Sequence, residues 1–326
     1  MASALLDPPA WLQPSQALRL SQQAPLLLQK HSTGQSLHLP LFPATEKPET
    51  WIILENLMLS CLRTGDDESA RLCLERLSDR FGVDNERVMG LRGMYQEAVA
   101  EDENALRHIL EEYDAVLSQD PTNMPIAKRR IALLRSMSQP VEAITALTKL
   151  LDTSPTDVEA WSELSDLYYS QGQYPRAIFC LEEILLVVPN AWNIHARLGE
   201  LAYTLAIAPE TSSDSNQGRA LVESLRRFCR SIELCDDYLR GHYGLKLTSS
   251  RLLPLLSQGS KSSSALAELA PPSLETVQKL NERATSKLVE IVRRSSAGED
   301  GWDGYDQAEI IAAKELLDRD AQPKER

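Results

Sequence analysis

The side chains that could do chemistry fall into small groups scattered along the 326-residue chain. Cys61, Cys73, Cys180, Cys229 and Cys235 could ligate zinc or pair as disulfides if they formed Cys-x-x-Cys motifs or stood beside histidines. They do neither, and each falls inside a helical pattern, as reduced core cysteines of a cytosolic protein would. His31, His38, His108, His195 and His242 are dispersed, and His195 and His242 read as hydrogen-bonded packing residues rather than bases. The acid pairs Glu182-Glu183 and Asp236-Asp237 read as solvated helix faces, and the basic cluster Lys128, Arg129 and Arg130 as surface. There is no glycine-rich phosphate loop, no Gly-x-Ser-x-Gly elbow and no His-Glu-x-x-His. The sequence therefore points to no catalytic, cofactor-binding or metal-binding residue, and an enzyme gives way to a binding module.

Charge narrows what is bound. With 47 acids against 34 bases the net charge is -13, the wrong sign for gripping phosphate backbones or anionic lipid. Pro8, Pro9 and Pro14 interrupt any signal-peptide core, and the apolar run 184–188 is too short to span a bilayer. A protein partner is what remains.

The elements that would present a binding surface are set by a repeat. Trp161, Leu164, Ser165, Tyr168, Ala177, Leu181, Ile184 and Pro189 follow the W-x2-L-G-x2-Y, A-x3-F, P pattern of the tetratricopeptide repeat (TPR), with Ser165 in the glycine slot and Leu181 in the phenylalanine slot. Pro121, Pro155 and Pro189 stand 34 residues apart, as do Ala143 and Ala177. Each such repeat is two antiparallel helices whose apolar faces need a neighbour to be buried. The expected fold is an all-α TPR solenoid, a right-handed superhelix with additional C-terminal helices, in which Trp161 and Ala177 are buried between helices.

Four segments follow. Residues 1–48 hold seven of the 18 prolines and short apolar bursts (Trp11, Leu12, 26–28, 37–42), so they read as an arm, with one short helix at 15–23. Residues 49–256 are the solenoid, in which an enlarged turn at 101–104 and an inserted loop at 209–218 are expected; the loop would delay the helix of Ser224, Phe228 and Ser231. Residues 257–272 are a serine- and proline-containing linker. Residues 273–326 are C-terminal helices and a tail, the first helix capped by Ser273. The arm's bulky apolar residues suggest that it lies on a surface, either its own solenoid or a partner, and arm and C-terminal helix are expected to expose apolar residues meant for partners.

In a repeat of this type first helices line the concave face. Eight residues after the tryptophan slot stands Tyr169, and 34 further on Tyr203. Around them the same counting places Lys128, Arg135, Glu159, Ser162, Asp166, Asn193, Arg197 and Glu200, a mixed-charge groove for a partner segment. The tyrosines either cover the helix seam or anchor that partner; tyrosine and arginine are prominent among binding hot spots, which favours the anchor. TPR clamps for chaperone C-terminal carboxylates need basic residues where this chain has Asp166.

The stretches starting at Trp51, Asp67, Arg87, Asp120, Val141, Glu159 and Ala177 (WIILENL, DESARLCLERL, RVMGLRGM, DPTN, VEAI, EAWSELSDLY, AIFCLEEIL) together resemble the subunit 2 family of the endoplasmic reticulum (ER) membrane protein complex, over about residues 50–250. The resemblance implies a non-catalytic cytosolic scaffold, peripheral on the cytosolic face of the ER membrane. It would bind cytosolic segments of the membrane subunits and a second soluble subunit of a complex that inserts tail-anchored and multipass proteins. The residues alone stop at a helical-repeat adaptor, for which a chaperone-associated assembly factor is the alternative.

Overall fold

The computed structural model describes residues 3–8, 12–32, 48–208, 214–257, 272–302 and 304–321; among them every regular element is an α-helix. The chain divides into two units, Met1–Ala146 and Leu147–Arg326.

The first unit holds α1 (Ser3–Leu6), α2 (Pro14–Ser21), α3 (Ala24–Ser32), α4 (Pro48–Thr64), α5 (Asp67–Phe81), α6 (Glu86–Val99), α7 (Glu103–Gln119), α8 (Met124–Ser136) and the start of α9 (Pro140–Thr153). Polar caps fix the helix starts: Asp66, Asn85, Asp102 and Asn123 each accept a backbone N–H of the turn that follows, worth about 1 kcal/mol apiece. The cap at Asp102 explains why no enlarged turn occurs at 101–104; the irregular spacing is absorbed by helices of 14 and 17 residues.

Much of the described part of the arm packs on its own helices, while Leu18 and Leu26 stay exposed. Leu5, Leu20, Ala24 and Leu28 are buried with Leu54, Leu57, Met58 and Cys61 of α4. Asn56 Nδ2 donates to Leu5 O at 2.7 Å, and Arg76 Nη2 to Leu28 O at 2.6 Å. Burial of those leucines outweighs leaving them in water, so the arm covers the end of its own helix stack. Trp11 and residues 37–42 lie outside the described residues. The basic cluster is used internally: Arg129 pairs with Glu97, which also accepts from Tyr113 OH at 2.7 Å, and Arg130 Nε meets Asp114 at 2.6 Å.

The second unit continues α9 and adds α10 (Val158–Ser170), α11 (Tyr174–Val187), α12 (Trp192–Ile207), α13 (Asp214–Leu234), α14 (Leu239–Ser257), α15 (Leu274–Ala297) and α16 (Gln307–Ala321). Leu164, Ala177, Leu181 and Ile184 are buried where the repeat pattern requires. Ser165 fits the glycine slot because its Oγ donates to Ala177 O at 3.0 Å, turning a close crossing into a hydrogen bond. Trp161, expected to be enclosed, is only partly buried, because the helices flanking it leave its ring at an open cleft. The turn after α10 needs positive φ, which Gly172 supplies at 70°; Ser138, 34 residues earlier, holds φ 57° in the corresponding turn.

Two further expectations are corrected here. Helix α13 begins at Asp214 rather than after 218, so the inserted loop is shorter than expected, and 209–213 lie outside the described residues. The C-terminal helices do not hold their apolar stripe out to partners: Val277, Ala284, Leu288 and Ile291 of α15 are buried, as are Ala313 and Leu316 of α16. Lys287 ties α15 to the α13–α14 turn through Asp237 at 2.7 Å and Asp236 at 3.2 Å. Of the linker 257–272, residues 258–271 lie outside the described residues.

One contact recurs at the start of successive first helices. A ring N–H donates to the carbonyl six residues earlier: Trp161 Nε1 to Pro155 O at 2.8 Å, His195 Nε2 to Pro189 O at 3.1 Å, and His242 Nε2 to Asp236 O at 2.7 Å. Both histidines are thereby held as Nε2–H tautomers with Nδ1 buried and unpaired. Burial, above all, holds both below the usual imidazole value of 6.5. A base with a depressed folded-state pKa leaves stability intact above the unfolded value and loses it as pH falls toward the folded value. His195→Trp keeps the N–H, as Trp161 does one repeat earlier, and cannot titrate. In thermal melts from pH 7.5 to 5, His195→Trp should lose less melting temperature than the parent chain; equal slopes would show that the His195 proton is not linked to folding.

Candidate functional site

The first helices α10, α12 and α14, with α16 across from them, enclose a cavity of ≈400 Å³ in the second unit. Tyr169 of α10, Arg197, Glu200 and Tyr203 of α12, and Leu239, Tyr243 and Leu247 of α14 line it; Glu309 and Ala312 of α16 close one side. Its floor is Phe228 of α13, whose ring lies so close to α12 and α14 that a Cβ on Gly199 would stand 2.9 Å from it and one on Gly244 2.1 Å. Only glycine permits that approach.

The polar groups are fixed by one another. Arg197 lies 4.8 Å over the Tyr169 ring, and its two terminal nitrogens reach Glu200 at 2.9 Å and Asp166 at 3.2 Å. Burial works against the Arg197 charge, and the carboxylates of Glu200 and Asp166 more than offset it, so the guanidinium stays charged. Tyr169 also meets Tyr174 edge-on at 5.8 Å. Arg240 Nε donates to Glu309 Oε1 at 2.6 Å, fastening α16 to the rim. Such a surface offers aromatic area, fixed N–H donors and the carboxylates of Glu200 and Glu309, an arrangement suited to holding a peptide segment.

Of the residues expected in a groove, Asp166, Tyr169, Arg197, Glu200 and Tyr203 come together. Glu159, Ser162 and Asn193, on the opening turns of α10 and α12, do not line the cavity. Lys128 and Arg135 belong to the other unit, on α8. Tyr243, Leu247, Arg240 and Glu309 were missed, because a strict 34-residue count fails after the long α13. The signal was present: aligning His242 with His195 puts Gly244 and Leu247 in the slots of Arg197 and Glu200.

Helix pairs of this pattern, spacing and crossing make the chain a TPR protein. Residues 87–216 match the family model described as the EMC2 TPR-like repeat domain. Over 209 residues the chain is 40% identical to the TPR repeat protein oca3 of Schizosaccharomyces pombe, covering 64% of this chain and 70% of that one. It is 33% identical to ER membrane protein complex subunit 2-B of Xenopus laevis over 62% of this chain and 63% of the frog protein, just under two thirds of its length. It is 25% identical to ER membrane protein complex subunit 2 of Saccharomyces cerevisiae, over 62% of this chain and 70% of the yeast one. The chain belongs to this EMC2 family.

The packing under the cavity has a direct consequence. Gly244→Ala should force Phe228 aside and cost about 1–3 kcal/mol by overpacking. Chemical denaturation should show the loss; an unchanged midpoint would mean that the ring yields freely and does not fix the groove.

Proposed function

We propose that the chain is a non-catalytic scaffold subunit of an ER membrane protein complex, peripheral on the cytosolic face of the membrane, supporting insertion of tail-anchored and multipass membrane proteins. Its second-unit groove grips a cytosolic segment of a membrane-embedded subunit, and a soluble subunit is a further partner. The observation that carries this reading is the preformed aromatic groove of Tyr169, Tyr203 and Tyr243, with Arg197 locked over Tyr169, in a chain of the EMC2 family. Aromatic and arginine side chains already held in place lose little freedom on binding, which is where affinity comes from. One observation is compatible with a peripheral attachment made through other subunits: no described helix is long and apolar enough to cross a membrane.

The test is co-purification from detergent extract. Tyr169→Ala combined with Tyr203→Ala should retain the parental helical circular dichroism and lose the membrane-embedded partners by about tenfold or more, as removal of two anchors of roughly 1–2 kcal/mol each requires. Recovery of integral membrane subunits at the parental ratio would overturn the groove as the grip. Recovery of soluble chaperones in their place from the parent chain would overturn the complex itself.

A further inference from the structure

A second opening in the same unit shares no lining residue with the groove. It is a cleft of ≈480 Å³ between the C-terminal half of α9 and α11, floored by α10. Trp161 forms its base, fixed by the hydrogen bond to Pro155 O. Phe179 stands edge-on to the indole, 6.1 Å away at 78°, with 55% of its surface exposed. Tyr168 continues the aromatic wall, and Arg176 lies 5.6 Å over its ring at the mouth.

Arg176 has an aromatic face for its neighbour rather than an acid. Its neighbours in the unit are matched to carboxylates: Arg197 to Asp166 and Glu200, Arg240 to Glu309, and Arg227 to Glu182, which lies on the same helix as Arg176. Arg176 has no carboxylate partner among the described residues, although acids outnumber bases by 47 to 34. A guanidinium stacked on an aromatic face is pre-aligned and keeps its N–H fork free for a planar anion. Asp152, on the opposite wall, carries the reverse charge and gives the cleft a direction.

We propose that this cleft docks a short segment of a partner protein in which a bulky apolar residue is followed by an aspartate or glutamate. The apolar side chain packs against the Trp161–Phe179 pair, and the carboxylate accepts two N–H bonds from Arg176. Asp152 turns a second acid away from the opposite wall and favours a backbone N–H or a basic residue there. Because the chain as a whole carries a net charge of -13, a run of acids is repelled by the remaining surface, so the cleft selects a single carboxylate beside an apolar anchor.

The full chain is titrated into three fluorescent nine-residue peptides of glycine and serine, with phenylalanine-aspartate, phenylalanine-asparagine or alanine-aspartate at the centre, read by anisotropy. The phenylalanine-aspartate peptide should bind about tenfold or more tightly than either counterpart, as a charge-assisted bidentate contact and an aromatic anchor imply. Arg176→Ala should erase the discrimination between aspartate and asparagine, Arg176→Lys should restore only part of it, and Tyr169→Ala with Tyr203→Ala should leave it intact. Both Arg176 and Phe179 are exposed, so their replacement leaves the core untouched. Equal binding of the three peptides, discrimination that survives Arg176→Ala, or no saturable binding into the millimolar range would each overturn the proposal. So would concentration-dependent self-association in sedimentation that Phe179→Asp abolishes, since a second copy of the chain would then be what covers the cleft.

Discussion

The second unit depends on one ring. Phe228 is inserted where α12 and α14 both lack a Cβ, at Gly199 and Gly244, and that absence brings three helix axes close enough to form a floor. Ser224, one turn earlier on α13, donates to Gly199 O at 2.8 Å and meets Thr248 Oγ1 at 3.0 Å. Ser231, one turn later, donates to Trp192 O at 2.8 Å. Buried hydroxyls in these positions each satisfy a group that would otherwise cost about 1–3 kcal/mol, so packing and hydrogen bonding specify the same register. The spacing of Tyr203 and Tyr243 across the groove follows from it.

Charge then divides the surface into settled and unsettled regions. Arg197 and Arg240 are neutralised at the groove by acids of their own unit, so a partner there meets aromatic area and directional donors rather than a net field. Lys287 does comparable work for the C-terminal helices, bridging to Asp236 and Asp237 while lying 5.7 Å over Trp302. Such networks position helices more than they stabilise them, since exposed pairs are worth less than about 1 kcal/mol each. Arg176 rests instead on the Tyr168 ring.

Much of this was legible in the residues. The 34-residue spacing of Pro121, Pro155 and Pro189 located the helix pairs, and Tyr169 and Tyr203, 34 residues apart, line one cavity, because repeat geometry converts sequence period directly into position. What was not legible depended on length rather than type. The 21-residue α13 breaks the count, so Leu247 could be found only by aligning the ring N–H contacts of His195 and His242, and that alignment sets Tyr243 against buried Ala196 rather than in a groove slot. Trp161 looked like a core residue because its slot is usually enclosed, but exposure of a slot depends on how far apart the flanking helices stand, which no single repeat encodes. The apolar residues of the arm and of α15 were expected to face partners; that the chain's own α4 and α14 cover much of them follows from contacts remote in sequence.

The central claim is that the face of α12 and α14 opposite Phe228 holds a segment of a membrane-embedded subunit. It is tested most directly by placing a photo-crosslinking amino acid at position 203, in the groove, and separately at position 223, on the half-buried outer side of α13, in the intact complex. The account predicts that irradiation joins position 203, and not position 223, to a cytosolic segment of an integral membrane protein. Crosslinks from 223 alone, or none from 203 to any membrane-embedded chain, would contradict it.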